Sequence, residues 1–168
     1  MSQAQETEGY AALVAARAPA LLRLAVMLTG DRSEAEDLLQ STLARTQRHA
    51  ARIASMAAPA AYLRRALVHE HVSGIRRIGR RVRTTSLEGH DVAADASGSL
   101  EQRDETWRLL ATLPRQQRAV LVLRFYEDLP DREIAEALGC SEPTVRSNAS
   151  RALATLRDRL ATTEETTP

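Results

Sequence analysis

Lysine is absent from this 168-residue chain, cysteine occurs once, and aromatic residues make up only 3%. Each shortage excludes something. With Cys140 alone no intrachain disulfide can form, and a thiolate-rich zinc site is ruled out. With so few rings, the 43% apolar content is carried by Ala, Leu and Val, a mixture that suits helices better than sheets. The chain does not open on a basic segment followed by an apolar core, so no signal peptide is expected. Its longest apolar stretches are broken by Arg or Pro well short of a membrane span. A soluble, cytoplasmic protein without membrane insertion is the expectation. His49, His69, His71 and His90 lack the spacing with acids or Cys140 that a metal requires. No paired carboxylates, activated nucleophile or Gly-rich phosphate loop can be assembled. The sequence therefore predicts no catalytic residue, no metal, no cofactor and no small-molecule substrate.

What is present is arginine, unevenly placed. All 23 basic residues are Arg, against 22 acids, for a net charge of +1. Abundant Arg and Ala suggest a GC-rich genome. Between Arg64 and Arg83 seven Arg face the single Glu70, a local charge of +6. Between Thr84 and Gln102 the acids Glu88, Asp91, Asp95 and Glu101 meet no base, a local charge of −4. Such asymmetry fits a protein that faces nucleic acid or a nucleic-acid enzyme. It equally fits a solvated Arg-rich helix followed by a linker, and composition alone leaves the two open.

Periodicity predicts an all-α chain in two small bundles. In the first, residues 9–83, Leu13, Leu21, Leu24 and Leu28 recur at helical spacing, with Pro19 opening a second helix after a short first one. Gly30 can close that helix in the left-handed conformation. Ser33 and Glu36 then read as a capping box, followed by an apolar face of Ala35, Leu38, Leu39, Leu43 and Thr46. Pro59 suits the first turn of a third helix bearing Tyr62, Leu63, Ala66 and Leu67. Residues 84–99 show no sustained period and read as a flexible acidic linker. The second bundle, residues 100–162, begins with a stripe of Leu100, Trp107, Leu110 and Leu113, with Trp107 as a core anchor, and Pro114 opens a helix through Tyr126.

Residues 131–160 carry the most informative pattern. Asp131–Leu138 presents Ile134, Ala135 and Leu138 to a core, Gly139-Cys140-Ser141 makes a turn, and Ser141 can cap the next helix. Cys140 reads as a small buried residue of that turn rather than a redox group. The second helix has a buried stripe of Val145, Ala149, Ala152 or Leu153, Leu156 and Leu160. Its opposite face offers Thr144, Ser147, Asn148 and Arg151, with Arg146 and Arg157 placed for phosphates. A helix-turn-helix puts base-reading side chains near the start of its second helix in this way. An ordinary helical hairpin with a polar face is the competing reading of these residues taken alone.

The run Leu113-Pro-Arg-Gln-Gln-Arg-Ala-Val-Leu-Val-Leu-Arg-Phe-Tyr-Glu-Asp-Leu129, then Glu133-Ile-Ala-Glu-Ala-Leu-Gly-Cys-Ser141, Thr144-Val-Arg-Ser147 and Arg151-Ala-Leu-Ala-Thr-Leu-Arg157, strongly resembles region 4 of extracytoplasmic-function sigma factors. Leu28-Thr-Gly-Asp31, Ala35-Glu-Asp-Leu-Leu-Gln40 and Ala61-Tyr-Leu-Arg-Arg65 resemble region 2 of the same sigma-70 family, in an actinobacterial-like form. The resemblance implies a promoter-specificity subunit whose partners are core RNA polymerase (the β′ clamp and the β flap) and promoter DNA. It assigns Asp37, Leu38 and Gln40 to the β′ clamp, with Leu39 read as core. It assigns Arg64, Arg65, His69, Arg76, Arg77 and Arg80 to the −10 element, and Thr144, Arg146, Ser147, Asn148 and Arg151 to the −35 element. The acidic linker matches a segment threaded toward the RNA exit channel. An anti-sigma protein clamped between the two domains is a further partner the family suggests.

The match departs from the family where promoter melting is done. The Asn, Asp and aromatic residues usual after Tyr-Leu-Arg-Arg are replaced by His69, Ser73, Gly74 and Ile75. Gln47 and Ala50 stand near positions where aromatics are usual, and Pro130 stands where a capping Ser is common. Two alternatives follow: a sigma-like decoy or adaptor that does not melt promoters, and a stand-alone helix-turn-helix regulator.

Overall fold

The computed structural model describes residues 3–85 and 105–165. All its described elements are helical, in two units. The N-terminal unit holds α1 (Gln3–Thr29), α2 (Arg32–Gln47), the short α3 (Ala50–Ala54) and α4 (Pro59–Thr85). The C-terminal unit holds α5 (Glu105–Ala111), α6 (Arg115–Leu121), α7 (Asp131–Leu138) and α8 (Glu142–Glu165). The last turn of α6 widens into a π-helical segment, Val122–Tyr126. The linker expected over 84–99 lies outside the described residues, apart from Thr84 and Thr85, which continue α4.

Three local expectations are corrected. Pro19 does not start a new helix; it sits inside an uninterrupted α1. Pro19 and Ala15 are both exposed, so the carbonyl that loses its i→i−4 partner can face water. The cap of α2 is Asp31, two residues earlier than the Ser33–Glu36 box: its backbone is extended and its carboxylate accepts from the Glu34 amide at 2.8 Å. Glu36 pairs instead with Arg32 at 2.9 Å. Finally, the interruptions in α1 do not make it short or polar: Glu8–Thr29 is 22 residues with a mean hydropathy of 1.7, long and apolar enough to cross a membrane. Burial accounts for its C-terminal part, where Leu21, Leu24, Ala25, Val26, Met27 and Leu28 lie in the protein core, while Ala11, Ala12, Ala15, Ala16 and Ala20 are exposed.

The N-terminal core is made by Leu21, Leu24 and Leu28 of α1 against Ile53, Leu63 and Leu67. Thr42 and Thr46 of α2 are buried in the same cluster. They are tolerated because their hydroxyls donate to the carbonyls of Leu38 and Thr42 at 2.8 and 2.9 Å. Tyr10 reaches across from α1 to hydrogen-bond the Thr46 hydroxyl at 2.7 Å, fixing the start of α1 to the end of α2.

The C-terminal core centres on α6. Ala119, Val120, Leu121, Val122 and Leu123 are all buried, a helix segment apolar on every side because α8 and α1 pack against α6 and α7 against the π segment. The π segment ends with the Glu127 amide bonded five residues back to the Val122 carbonyl at 3.0 Å. Arg124 then holds Asp131 with both carboxylate oxygens in reach, at 2.9 and 2.6 Å, and so anchors the start of α7. This charge, with Glu133 in the first turn, serves where Pro130 provides no side-chain cap.

A buried side chain bridges the units. Arg118 of α6 is 1% exposed, yet its charge is met. Its Nε donates to the Leu28 carbonyl at the end of α1 (3.0 Å), and its Nη1 to the Ala111 carbonyl at the end of α5 (3.3 Å). Both acceptors lie at helix C-termini, where unpaired carbonyls and the helix dipole favour a cation. Gly30 makes the approach feasible: its φ is +74°, and a Cβ there would overlap the guanidinium. Arg118→Met should therefore leave two buried carbonyls unpaired and lower the unfolding free energy by about 2–4 kcal/mol. Urea denaturation checks this, and a loss below about 1 kcal/mol would refute the clamp's energetic role.

Candidate nucleic-acid interfaces

The helix-turn-helix is formed as its residue types dictate. Gly139 takes the left-handed conformation (φ +67°), and the following Cys140 amide bonds the Ala135 carbonyl at 3.0 Å, closing α7. Ser141 accepts from the Thr144 amide at 3.3 Å and lies 2.9 Å from the Thr144 hydroxyl, capping α8. Val145, Ala149 and Ala152 are buried beneath, with Leu153 and Leu156 half-buried. Leu160, expected in that stripe, is 44% exposed, because α8 runs on past the units it packs against.

On the other face Thr144, Arg146 and Arg151 are exposed and Ser147 half-exposed. Thr144, Ser147 and Arg151 follow i, i+3, i+7 and form one row. Asn148, expected in this row, is buried at 9% exposure. At about 100° per residue it lies only about 40° from Ala152, on the flank of the packed stripe. Ser150 is exposed instead, on the same side as Arg146 and Arg157. Helical angle, applied strictly, would have found that exchange in the sequence. Arg146 is held only loosely, 3.8 Å from Glu142.

The second cationic surface is α4. Arg64, Arg65, His69, Arg76, Arg77 and Arg80 are all exposed. Arg65, His69, Arg76 and Arg80 share one face, with Arg64 turned about 100° away. Between α4 and α7 runs a groove of about 580 Å³. Arg64, Arg65, His69, Ser73 and Arg76 form one wall, Glu127, Arg132, Glu133 and Glu136 the other, and Val68, Val72, Leu129 and Ala137 its apolar floor. Two of the arginines are engaged across it: Arg64 with Glu127 at 2.9 Å, and Arg76 with the Glu136 carbonyl at 2.8 Å. Ile75 packs on the core rather than facing outward.

On α2, Asp37 and Gln40 are exposed, while Leu38 and Leu39 are half-buried against the core. Glu34, one turn earlier, pairs with Arg115 at 3.0 Å. Phe125 (65% exposed) and Tyr126 form an outward aromatic pair at the end of the π segment. The sequence signalled nothing there, since an apolar residue ending a buried run reads as core. Trp107 is half-buried against the core.

Burial dominates the electrostatics of the seam. It lowers Arg118 to about 10, aided by Arg115 and opposed by Glu34, which leaves the guanidinium charged at neutral pH. It lowers His71 to about 4, with Arg118 and then Arg115 adding to the effect. His71 Nε2 is buried without a hydrogen-bond partner, as suits a neutral ring beside two cations. Burial also raises the Cys140 thiol, against a smaller effect of Arg76, so it remains a protonated, half-buried turn residue. Among the described residues no cluster of His, Cys, Asp and Glu could hold a metal.

Two family models match this arrangement. Sigma-70 region 2 matches residues 13–81 and sigma-70 region 4 matches residues 103–156. The RNA polymerase sigma-E factor of Streptomyces coelicolor is 36% identical, over 95% of this chain and 89% of the relative. The chain belongs to the sigma-70 family, in its extracytoplasmic-function branch. A second such sigma factor, SigL of Mycobacterium tuberculosis, is 35% identical over 87% of this chain and 85% of the relative. The structure of the Bartonella quintana sigma factor RpoE, solved in complex with the anti-sigma factor NepR, matches with a TM-score of 0.56. The two are 26% identical, and the match covers 90% of this chain and 96% of that one. In region terms, α1–α4 fall largely within the region 2 match and α5–α8 within that of region 4.

The buried His71 makes this sigma-70 domain pair acid-sensitive. In the unfolded chain the ring takes up a proton below its ordinary value of 6.5; in the native protein it does so only near 4. Its stabilising contribution is present above pH 6.5 and lost as pH falls toward 4. At pH 5 this amounts to about 2 kcal/mol. His71→Leu should flatten the stability profile between pH 6.5 and 5 in thermal unfolding, and an unchanged slope would refute the assignment.

Proposed function

We propose that this chain is an alternative sigma factor: a cytoplasmic, non-catalytic subunit that joins core RNA polymerase and directs it to particular promoters. The observation that carries the reading is the ordered pair of regions, each with its surface in place. Region 2 presents Asp37 and Gln40 on α2 and an arginine face on α4, and region 4 presents a capped helix-turn-helix.

In this reading Asp37 and Gln40, with Leu38 beneath them, meet the β′ clamp. The exposed Phe125 gives region 4 an apolar surface for the β flap. Arg64, Arg65, His69, Arg76, Arg77 and Arg80 meet the −10 element, chiefly through phosphates, which position DNA without reading it. Thr144, Ser147 and Arg151 read the −35 element in the major groove, with Arg146 on the backbone. Asn148 supports the helix from behind that row. In the same reading an anti-sigma protein is the binding partner for the groove between regions 2 and 4, by analogy with the NepR complex of the Bartonella protein.

Co-purification with core polymerase tests the reading. Wild type should bind stoichiometrically, and Asp37→Arg should not; failure of the wild type to bind would overturn the proposal. Promoter footprinting tests the −35 row. Arg151→Ala should cost about 1–3 kcal/mol in recognition if it makes a bidentate base contact, with core binding unchanged. Asn148→Ala should instead act mainly on thermal stability. A larger promoter defect for Asn148→Ala than for Arg151→Ala would show the row to be misplaced.

A further inference from the structure

Regions 2 and 4 share one continuous apolar core, and the groove between α4 and α7 opens above it. At about 580 Å³ the groove has the size of a small-ligand site. Its floor is apolar, from Val68, Val72 and Leu129, and polar side chains converge on it from both regions. Two kinds of unused bonding capacity lie along it. Glu127, whose side chain is only 9% exposed, accepts from Arg64 through Oε2. Its Oε1 is buried with no hydrogen-bond partner among the described residues. A buried acceptor left unmet is costly, so the groove favours a ligand that brings donors. Arg65 and His69 line the opposite wall one helical turn apart. Both are exposed, and neither makes a hydrogen bond or ion pair among the described residues. Arg132, beside Glu127 on the region 4 side, is held only loosely, 3.9 Å from Glu136.

We propose that the groove is a binding site for a guanine nucleotide. The base lies on the apolar floor with its N1–H and N2–H donors on the Glu127 carboxylate, and the phosphates meet Arg65, His69 and Arg132. The donor pattern selects guanine. A carboxylate only accepts, and guanine is the one common base whose pairing edge sets two donors side by side. Adenine and cytosine each place a ring-nitrogen acceptor next to their amino group, and uracil flanks its single N–H with two carbonyls. Each would set an acceptor against a buried carboxylate oxygen. The phosphates give Arg65 an anion and His69 an acceptor, which the described residues do not. The inference goes beyond the sigma reading and does not depend on it; it requires only that α7 face α4. A nucleotide and an anti-sigma protein would exclude each other from this groove.

Isothermal titration of the full-length protein with guanosine, inosine and adenosine diphosphates, and with inorganic pyrophosphate, tests the site. Guanosine diphosphate should bind about tenfold or more tighter than adenosine diphosphate, the effect of one charge-assisted hydrogen bond. Inosine diphosphate, which lacks the N2 amino group, should fall between them, and pyrophosphate should bind weakest. Arg65→Ala should weaken all three nucleotides by a similar factor and keep their order. Glu127→Gln should bring the guanine ligand down to the adenine level and leave pyrophosphate unchanged. Equal binding of the three nucleotides, or pyrophosphate as tight as guanosine diphosphate, would mark a merely cationic surface and overturn the proposal. A guanine preference that survives in Glu127→Gln overturns it as well, because the base is then read elsewhere. Should that variant fail to fold, the order of the four ligands on the wild type still decides.

Discussion

The arrangement of both regions depends on a buried arginine. Arg118 carries a full charge into a site from which water is excluded, a costly position unless every donor finds an acceptor. The acceptors are the last carbonyls of two helices, one from each region, which would otherwise be unpaired themselves. Lysine, a point charge on a flexible stem, would not span both; a planar guanidinium fork does. The geometry then constrains its surroundings. Gly30 must lack a Cβ and must take positive φ, and His71 must stay neutral beside Arg118 and Arg115.

Once the ends of α1 and α5 are tied to α6, the remaining surfaces take their places. α8 packs along α6 and α7 packs on α8 and the π segment, so both follow α6, and α7 comes to face α4 across the groove. The row of Thr144, Ser147 and Arg151 lies on the side of α8 away from its buried stripe and remains available. The arginines of α4 that face α7 do not remain so: Arg64 and Arg76 are already engaged. The two polar faces therefore differ: the row on α8 is open, while α4 has two of its guanidiniums engaged.

Most of this fold is legible in the sequence because helices are decided locally. The apolar period of α1, Pro59 at the start of α4, and the Gly139–Ser141 turn each carry their own reason. The misreadings share a different cause. Pro19 breaks a helix in isolation, but an exposed proline in a long packed helix leaves a carbonyl that water can satisfy. The α2 cap fell to Asp31 because the left-handed Gly30 ends α1 and lets α2 begin at once. α3 is only five residues long and has no period to read. The placement of Asn148 was available from helical angle alone. The Arg118 clamp was not, since nothing local marks one arginine among 23 as the buried one. Its acceptors, the Leu28 and Ala111 carbonyls, belong to the backbone and leave no trace in residue type.

The charge of α4 connects these observations. A helix stretch with seven Arg and one Glu repels itself, and it needs anions near it in any state the protein occupies. On one side Glu70, the single acid of the stretch, meets Arg45 of α2 at 2.6 Å. Arg64 and Arg76 find compensation in region 4, through Glu127 and the carbonyl end of α7, where the helix dipole adds to the acid. On a promoter, phosphates would supply the same compensation more strongly. The stretch from His69 to Ile75, which lacks the family's aromatics, lies along this same wall, with His69 and Ser73 lining the groove and Ile75 turned to the core. Small polar groups there leave room for α7 to approach Arg76, whereas a ring standing in the groove would hold the two helices apart.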